Sequence, residues 1–259
     1  ASADVSMSGT GGAGVFGAAG ADLSVYSGVD LGFAISGASD NGMTFSASLD
    51  MGGGQTLDVG DFELDTQDMG TDDNASVAIG VGGVTITLSQ DGVDDLYDDD
   101  IAGDIGISGA MGDLSYSVVT GLEDADPTSI SIGYSAGAIS GSVATSDEGD
   151  ASTVSVSYVM GDITLSAESD TDRTGADTST VGVSYAMADG MTVSVEESEG
   201  VIEASVAYSS GAISVGVTAD DAATESWEAT MAYDLGGGAT FNLGTNQDET
   251  TFAGVGFSF

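Results

Sequence analysis

No cysteine and no histidine occur in this chain, and one arginine, Arg173, is its only basic side chain. The missing cysteines exclude disulfides, thiol nucleophiles and soft-metal sites. The missing lysines and arginines exclude nucleic acid as a partner, because phosphate recognition rests on those cations. They also exclude electrostatic docking on anionic lipid. No run reaches the roughly 18 consecutive apolar residues of a membrane-spanning helix. One proline, and 41 glycines without a three-residue period, exclude collagen. The chain begins at Ala1 rather than Met, without a basic segment followed by an apolar one, as expected of a mature form whose signal peptide has been removed.

What is present is acid and apolar surface together. Asp and Glu number 43, for a formal net charge of -42, yet 41% of the residues are hydrophobic. Disordered acidic chains are poor in apolar residues, so disorder does not fit. Val, Ile, Ser, Thr and Gly are frequent, which favours strands and tight turns.

A repeat organises the second half of the chain. Ile130-Ser-Ile-Gly-Tyr134, Val154-Ser-Val-Ser-Tyr158, Val181-Gly-Val-Ser-Tyr185, Ala204-Ser-Val-Ala-Tyr208 and Ala229-Thr-Met-Ala-Tyr233 are variants of one unit, which ends as Ala253-Gly-Val-Gly-Phe257-Ser-Phe259. Within each unit the alternation has period two. Val154, Val156 and Tyr158 share one face, while Ser155 and Ser157 share the other. Strands of about nine to eleven residues match what a tilted strand needs to cross a bilayer.

The connections fall into two sets. Gly82-Gly83, Met160-Gly161, Ser210-Gly211 and Gly236-Gly238 are short and nearly neutral. The segments from Gly52 to Asp73 and from Asp91 to Asp104 are longer and acidic, and smaller acidic groups such as Asp170/Asp172/Asp177 follow them. Alternating strands put one set at each end, as in outer-membrane barrels with short periplasmic turns and longer external loops. The expected fold is therefore all-β: a single closed antiparallel transmembrane β-barrel over residues 1–259. Three strands near 4–16, 21–36 and 43–51, two beside Gly82-Gly83 and those after residue 103 give 18, with 16 as the alternative. Both termini then lie on the periplasmic side of a bacterial outer membrane, with lipid and lipopolysaccharide as surroundings. Tyr134, Tyr158, Tyr185, Tyr208 and Tyr233 fall at one offset before short turns, where an interfacial aromatic girdle belongs.

Several residues carry a more specific resemblance. The C-terminal strand, with Phe257 and Phe259 on the face of Ala253 and Val255, resembles the signal read by the outer-membrane assembly machinery. Tyr233-Asp-Leu-Gly-Gly-Gly238-Ala-Thr resembles the penultimate hairpin of the general porins of alphaproteobacteria, and Asn41-Gly-Met-Thr-Phe-Ser-Ala-Ser48 their second hairpin. Val77 to Gln90, followed by Asp91-Gly-Val-Asp-Asp-Leu-Tyr97, sits where that family has its inward third loop, which makes 91–104 the candidate constriction loop. The resemblance implies a homotrimeric, water-filled diffusion channel. Family pores oppose an acidic third loop with wall arginines. Arg173 alone cannot build that transverse field.

Asp91, Asp94, Asp95, Asp98, Asp99 and Asp100 crowd one short window, the candidate cation mouth of the pore. Asp94, Asp98 and Asp100 are the candidate ligands for Ca²⁺, which takes six to eight oxygens. No other cofactor is expected. Asp170-x-Asp172-x-Thr174-Gly175 begins like an EF-hand loop, but its twelfth position is Val181 rather than Glu. Gly133-Tyr-Ser135-Ala-Gly137 matches a hydrolase nucleophile pattern but falls at a hairpin, in a chain without histidine. No enzyme is expected. The reading is a cation-favouring porin for passive diffusion of small hydrophilic solutes and ions. The rivals are a structural or surface-coat barrel whose acidic loops bind divalent cations, and a secreted acidic Ca²⁺-dependent β-protein.

Overall fold

The structure, a computed structural model, describes residues 2–18, 20–67, 76–97, 101–123, 127–147 and 150–259. Its strands are β1 (Ser2–Gly17), β2 (Ser24–Ala38), β3 (Thr44–Asp58), β4 (Glu63–Gln67), β5 (Ser76–Val81), β6 (Val84–Asp94), β7 (Ala102–Met111), β8 (Leu114–Thr120), β9 (Thr128–Ala136) and β10 (Ile139–Ser146). They continue as β11 (Ser152–Met160), β12 (Ile163–Thr171), β13 (Asp177–Ala186), β14 (Met191–Ser198), β15 (Val201–Ser210), β16 (Ile213–Asp220), β17 (Trp227–Gly236), β18 (Ala239–Asn246) and β19 (Thr251–Ser258). A single 3-10 turn, Ala188–Gly190, is the only helical element among the described residues.

The pairings are antiparallel and the order closes on itself, because β1 pairs with both β2 and β19. The fold is a closed antiparallel barrel of 18 wall strands. The nineteenth strand, β4, arises because β3 has two partners. Thr44–Ser48 pairs with β5, whereas Gly54–Asp58 pairs with β4. This is the largest departure from the sequence reading. The segment from Gly52 to Asp73 was expected as an acidic loop. Instead β3 runs on to Asp58, turns over residues 59–62 and returns as β4. The remaining boundaries lie within a few residues of expectation.

Four of the short turns share one mechanism. Gly112, Gly137, Gly161 and Gly211 open two-residue connections with φ of 65°, 60°, 64° and 60°. A Gly at the first central position is what a type II′ hairpin requires, and that turn follows the natural twist of the strands.

Two compact units divide the chain. The first comprises Ala1–Ser6, Phe33–Leu49 and Thr71–Val181. In it, Val143 lies in register with Ile132 on one side and Val154 on the other, and these residues stand exposed on the apolar face. On the opposite face Ser142 and Ser155, also in register, share a hydroxyl hydrogen bond of 2.8 Å, and Ser48 and Ser76 share another of 2.8 Å. Such cross-strand pairs are the unit of sheet stabilisation, each contributing roughly 0.2–1 kcal/mol.

The second unit comprises Met7–Gly32, Asp50–Gly70 and Gly182–Phe259. Val206 lies between Val193 and Val217 on its apolar face. On its polar face Ser194 pairs with Ser205, and Ser209 with Ser214 at 3.2 Å. This unit also contains the β3–β4 hairpin.

Candidate functional site: the polar face and the segments that cover it

The hairpin is shaped by its own sequence. Met51-Gly52-Gly53-Gly54 lets β3 leave the wall: Gly54 has φ of 84°, and a Cβ at Gly53 would touch nothing. The register then runs Gly54↔Gln67, Thr56↔Asp65 and Asp58↔Glu63, with Gln67 Nε2 donating to Thr56 Oγ1 at 2.8 Å. At the tip, the Asp58 carboxylate accepts hydrogen bonds from the Gly60 and Asp61 amides at 2.7 and 3.2 Å. An Asp that binds the backbone two and three residues on is a turn former.

The hairpin lies on the polar face of its unit. Leaving the wall, it passes over Gly28, where an added Cβ would stand 2.5 Å from the Gln55 carbonyl. Beyond it, Thr56 and Leu57 bound a cavity of about 450 Å³ together with Thr10, Gly12, Tyr26 and Asn242. Tyr26 is 3% exposed, and its ring occupies the space that side chains at Gly14 and Gly254 would need. Val59, at the tip, bounds a second cavity of about 390 Å³ with Thr192, Ser209, Ser214 and Thr230.

Phe62 anchors the tip. Its ring centroid is 5.2 Å from that of Phe252, with the planes tilted by 58°. Phe252 is 2% exposed and covers Gly244. In β19 it alternates with Ala253, Val255 and Phe257, so it belongs to the face opposite the terminal aromatics. Phe62 has φ of 57°, a left-handed conformation that is unusual for a bulky residue. Such strain costs of order 1–3 kcal/mol and persists where packing over-determines it. Burial against Phe252 supplies that packing.

A row of carboxylates lies beside the tip. Glu196, Glu203 and Asp220 are in register across β14, β15 and β16, while on β17 Glu228 is paired with Thr218, two residues from Asp220. Glu228 lies within charge–charge range of Glu203 and of Asp61 on the hairpin. Glu197, next to Glu196, turns away and accepts the Gly200 amide at 2.8 Å.

In the first unit a different segment covers the polar face. The expected loop 91–104 is shorter than its sequence bounds, because 91–94 belong to β6 and 102–104 to β7. Asp91 accepts φ of 49° and its amide donates to Asp104 Oδ1 at 3.1 Å. Asp94 pairs with Ala102 in the ladder, after a register shift beyond Leu88. Asp95 is buried, accepts the Tyr97 amide at 2.9 Å and takes the Ser146 hydroxyl at 3.4 Å. The Leu96 amide donates to Ser129 Oγ at 2.9 Å, and Tyr97 donates its hydroxyl to Asp170 at 3.1 Å. Burial and the Asp170 carboxylate hold the Tyr97 phenol above the ordinary tyrosine range. Asp98, Asp99 and Asp100 lie outside the described residues. Two of the three expected Ca²⁺ ligands are therefore not described, and among the described residues no group of three metal-ligating side chains comes together.

The EF-hand-like run closes on itself. The Asp172 carboxylate accepts the Thr174 hydroxyl, the Thr174 amide and the Ala176 amide at 2.7, 2.7 and 2.9 Å. These bonds, the Thr174 hydroxyl first, hold its carboxyl below the usual range. Asp170 takes the Thr153 and Tyr97 hydroxyls. Both carboxylates are occupied by protein donors. Ser135, the nucleophile-like serine, lies in β9 with its amide bonded to the Asp113 carbonyl at 2.9 Å.

Tyr134, Tyr158, Tyr185, Tyr208 and Tyr233 all stand exposed on the apolar faces of their strands, between 41% and 45%. Phe257 and Phe259 are exposed on that face of β19 and lie over Gly11 and Gly9 of β1. Tyr26, Phe62, Phe252 and the carboxylate row were not legible from sequence. The three consecutive glycines after Met51 are the one sequence signal from which the hairpin could have been found.

No protein-family profile matches the chain, and no curated protein is similar to it in sequence. Solved structures are similar. A variant of the porin of Rh. blastica with three substitutions covers 99% of this chain and 100% of its own, at 16% identity and a TM-score of 0.63. A triple mutant of Rhodopseudomonas blastica porin matches over the same shares at 17% identity and 0.63. A structure described as "asymmetric conductivity of engineered proteins" does so at 17% and 0.61. At this identity the likeness establishes architecture, and the chain has the barrel fold of the porins.

Proposed function

We propose that this chain is an outer-membrane porin for passive diffusion of small hydrophilic solutes and ions, favouring cations, and not an enzyme. One observation carries the reading: the closed ring of strands exposes Val, Ile, Leu and Tyr on one face and Ser, Thr, Gly and carboxylates on the other. An apolar face of that extent needs lipid or a partner against it. A barrel of this strand number is wide enough for an aqueous channel. With 43 acids against one base, mobile cations must balance the fixed charge, so cations enter and anions are repelled.

The same reading assigns the finer roles. The five tyrosines form the interfacial girdle, and Phe257 and Phe259 the assembly signal. The cluster from Asp91 to Asp100 gathers cations, Ca²⁺ among them, at the mouth. The barrel assembles as a homotrimer with both termini periplasmic. The relative described by its asymmetric conductivity supports a conducting barrel. The seated hairpin supports a second reading, a structural barrel that conducts poorly because its polar face is covered.

Proteoliposome swelling tests the choice. Rapid swelling in small sugars, slowing as the sugar grows, is the expected result. Liposomes that incorporate the protein and never swell would support the structural barrel.

A further inference from the structure

We infer that the cavity between the β3–β4 hairpin and the wall strands β1, β2, β18 and β19 is a binding subsite for an uncharged polyhydroxylated solute, a sugar or polyol of about monosaccharide size. The inference rests on the porin reading for the route by which a solute arrives. The whole lining belongs to one unit.

Glycines and one buried phenol build the site. Gly12 is in register with Gly256, and Gly14 with Gly254, so the β1–β19 seam offers a floor without side chains on the polar face. Tyr26 reaches across that floor from β2, and its hydroxyl lies over Gly254. Asn242 is in register with Gly254 on the next strand, and its Nδ2 lies 3.7 Å from where a Cβ at Gly256 would stand. Thr240 is paired with Gly256 and continues the same face. The hairpin brings Thr56 and Leu57 against this space.

The polar groups here have capacity to spare. Tyr26 is 3% exposed, yet among the described residues none exchanges a hydrogen bond with its hydroxyl or with the Asn242 amide. A buried phenol ordinarily has a partner, and the cavity is where one can enter. Thr56 Oγ1 accepts from Gln67 and keeps its own proton to donate. Among the described residues no carboxylate lines the cavity, in a chain with 43 of them. A cation therefore finds no counter-charge in it, and the surrounding acid repels an anion. Amide, phenol and hydroxyl each donate and accept, which complements a solute whose own hydroxyls do both. The volume of about 450 Å³ falls within the roughly 300–1,000 Å³ of small-molecule sites.

The test is saturation-transfer NMR of the full chain in a detergent without a sugar headgroup, titrated with D-glucose. The wild type is expected to give a saturable glucose signal, and tetraethylene glycol, which has few donors, none. Y26F and N242A each remove one polar group and are expected to raise the half-saturating concentration roughly five-fold, the worth of one net hydrogen bond. S194A, which removes a hydroxyl of the polar face outside the cavity, should leave it unchanged. Y26F keeps the ring over the glycine floor, so its effect does not report a lost fold. No saturable signal, an equal signal from tetraethylene glycol, or wild-type half-saturation in both Y26F and N242A overturns the inference. Single-channel recording of the same protein separates the two readings. Channels without saturable glucose binding overturn this inference alone, and binding without channels overturns the porin reading alone.

Discussion

Two segments lie on the polar face, each in its own unit, and they are held in opposite ways. The β3–β4 hairpin is held by shape. Phe62 packs on Phe252, Tyr26 fills the space left by Gly14 and Gly254, and the Gln55 backbone passes over Gly28. The segment after β6 is held by polar bonds. Leu96 binds Ser129, Tyr97 binds Asp170, and Asp95 takes Ser146. Apolar contacts are insensitive to pH and salt, whereas hydrogen bonds to carboxylates depend on protonation. The docking of the hairpin is thus indifferent to pH, and that of the other segment is titratable.

The largest effect that can break this comparison is loss of the aromatic clamp. F62A and F252A are each expected to cost about 3–5 kcal/mol in the stability of the hairpin's docking, as for other buried Phe deletions. The double variant should be less than additive by about 0.5–1.5 kcal/mol, the coupling of an aromatic pair. Protease sensitivity across residues 54–67, read against thermal unfolding of the whole barrel, checks it. Strict additivity would mean that the rings do not interact.

A smaller effect is expected from G28V. The new side chain meets the Gln55 backbone, which cannot move aside as a flexible side chain would. Overpacking of this kind costs about 1–3 kcal/mol. The hairpin should lift, and conductance per channel should rise. Unchanged conductance would mean that the hairpin lies off the solute path.

Y97F sharpens the polar side. Removing its hydrogen bond to Asp170 should cost about 1 kcal/mol. The sign with pH follows from the raised phenol. The folded form holds the proton more tightly than the unfolded one, so the contribution is full below the ordinary value of 10.0 and is lost as pH rises through the higher folded value. Phenolate absorbance should show a late-titrating tyrosine that is lost in Y97F.

The smallest effect concerns the Asp172 turn. Its carboxyl is held below the ordinary 3.8, so its contribution is present above that value and is lost as pH falls through the lower folded value. Carboxyl NMR should place its midpoint below 3.8. A midpoint above it would mean the turn bonds do not form in solution.

The wall was legible from sequence because strands repeat. Alternation of Val with Ser, tyrosines at one offset and glycines in the short turns are local signals, each repeated many times, and together they indicated the faces and a count of 18, with 16 as the alternative. The hairpin does not repeat. Its fold depends on the match between Phe62 and Phe252, 190 residues apart, and on glycines such as Gly28 and Gly254 that read in sequence like any other strand glycine. Acidic density drew attention to 91–104, and the described part of that segment does lie on the polar face through Leu96 and Tyr97. Density alone could not reveal that Asp95 is buried in bonds while Asp61, an unremarked acid, sits beside Glu228.

The central claim is that this barrel conducts and selects cations. Planar-bilayer recording of the detergent-purified protein, with a KCl gradient, tests it most directly. The account predicts stepwise channels whose reversal potential lies toward that of K⁺. Protein that inserts but passes no current, or channels that favour Cl⁻, would contradict it.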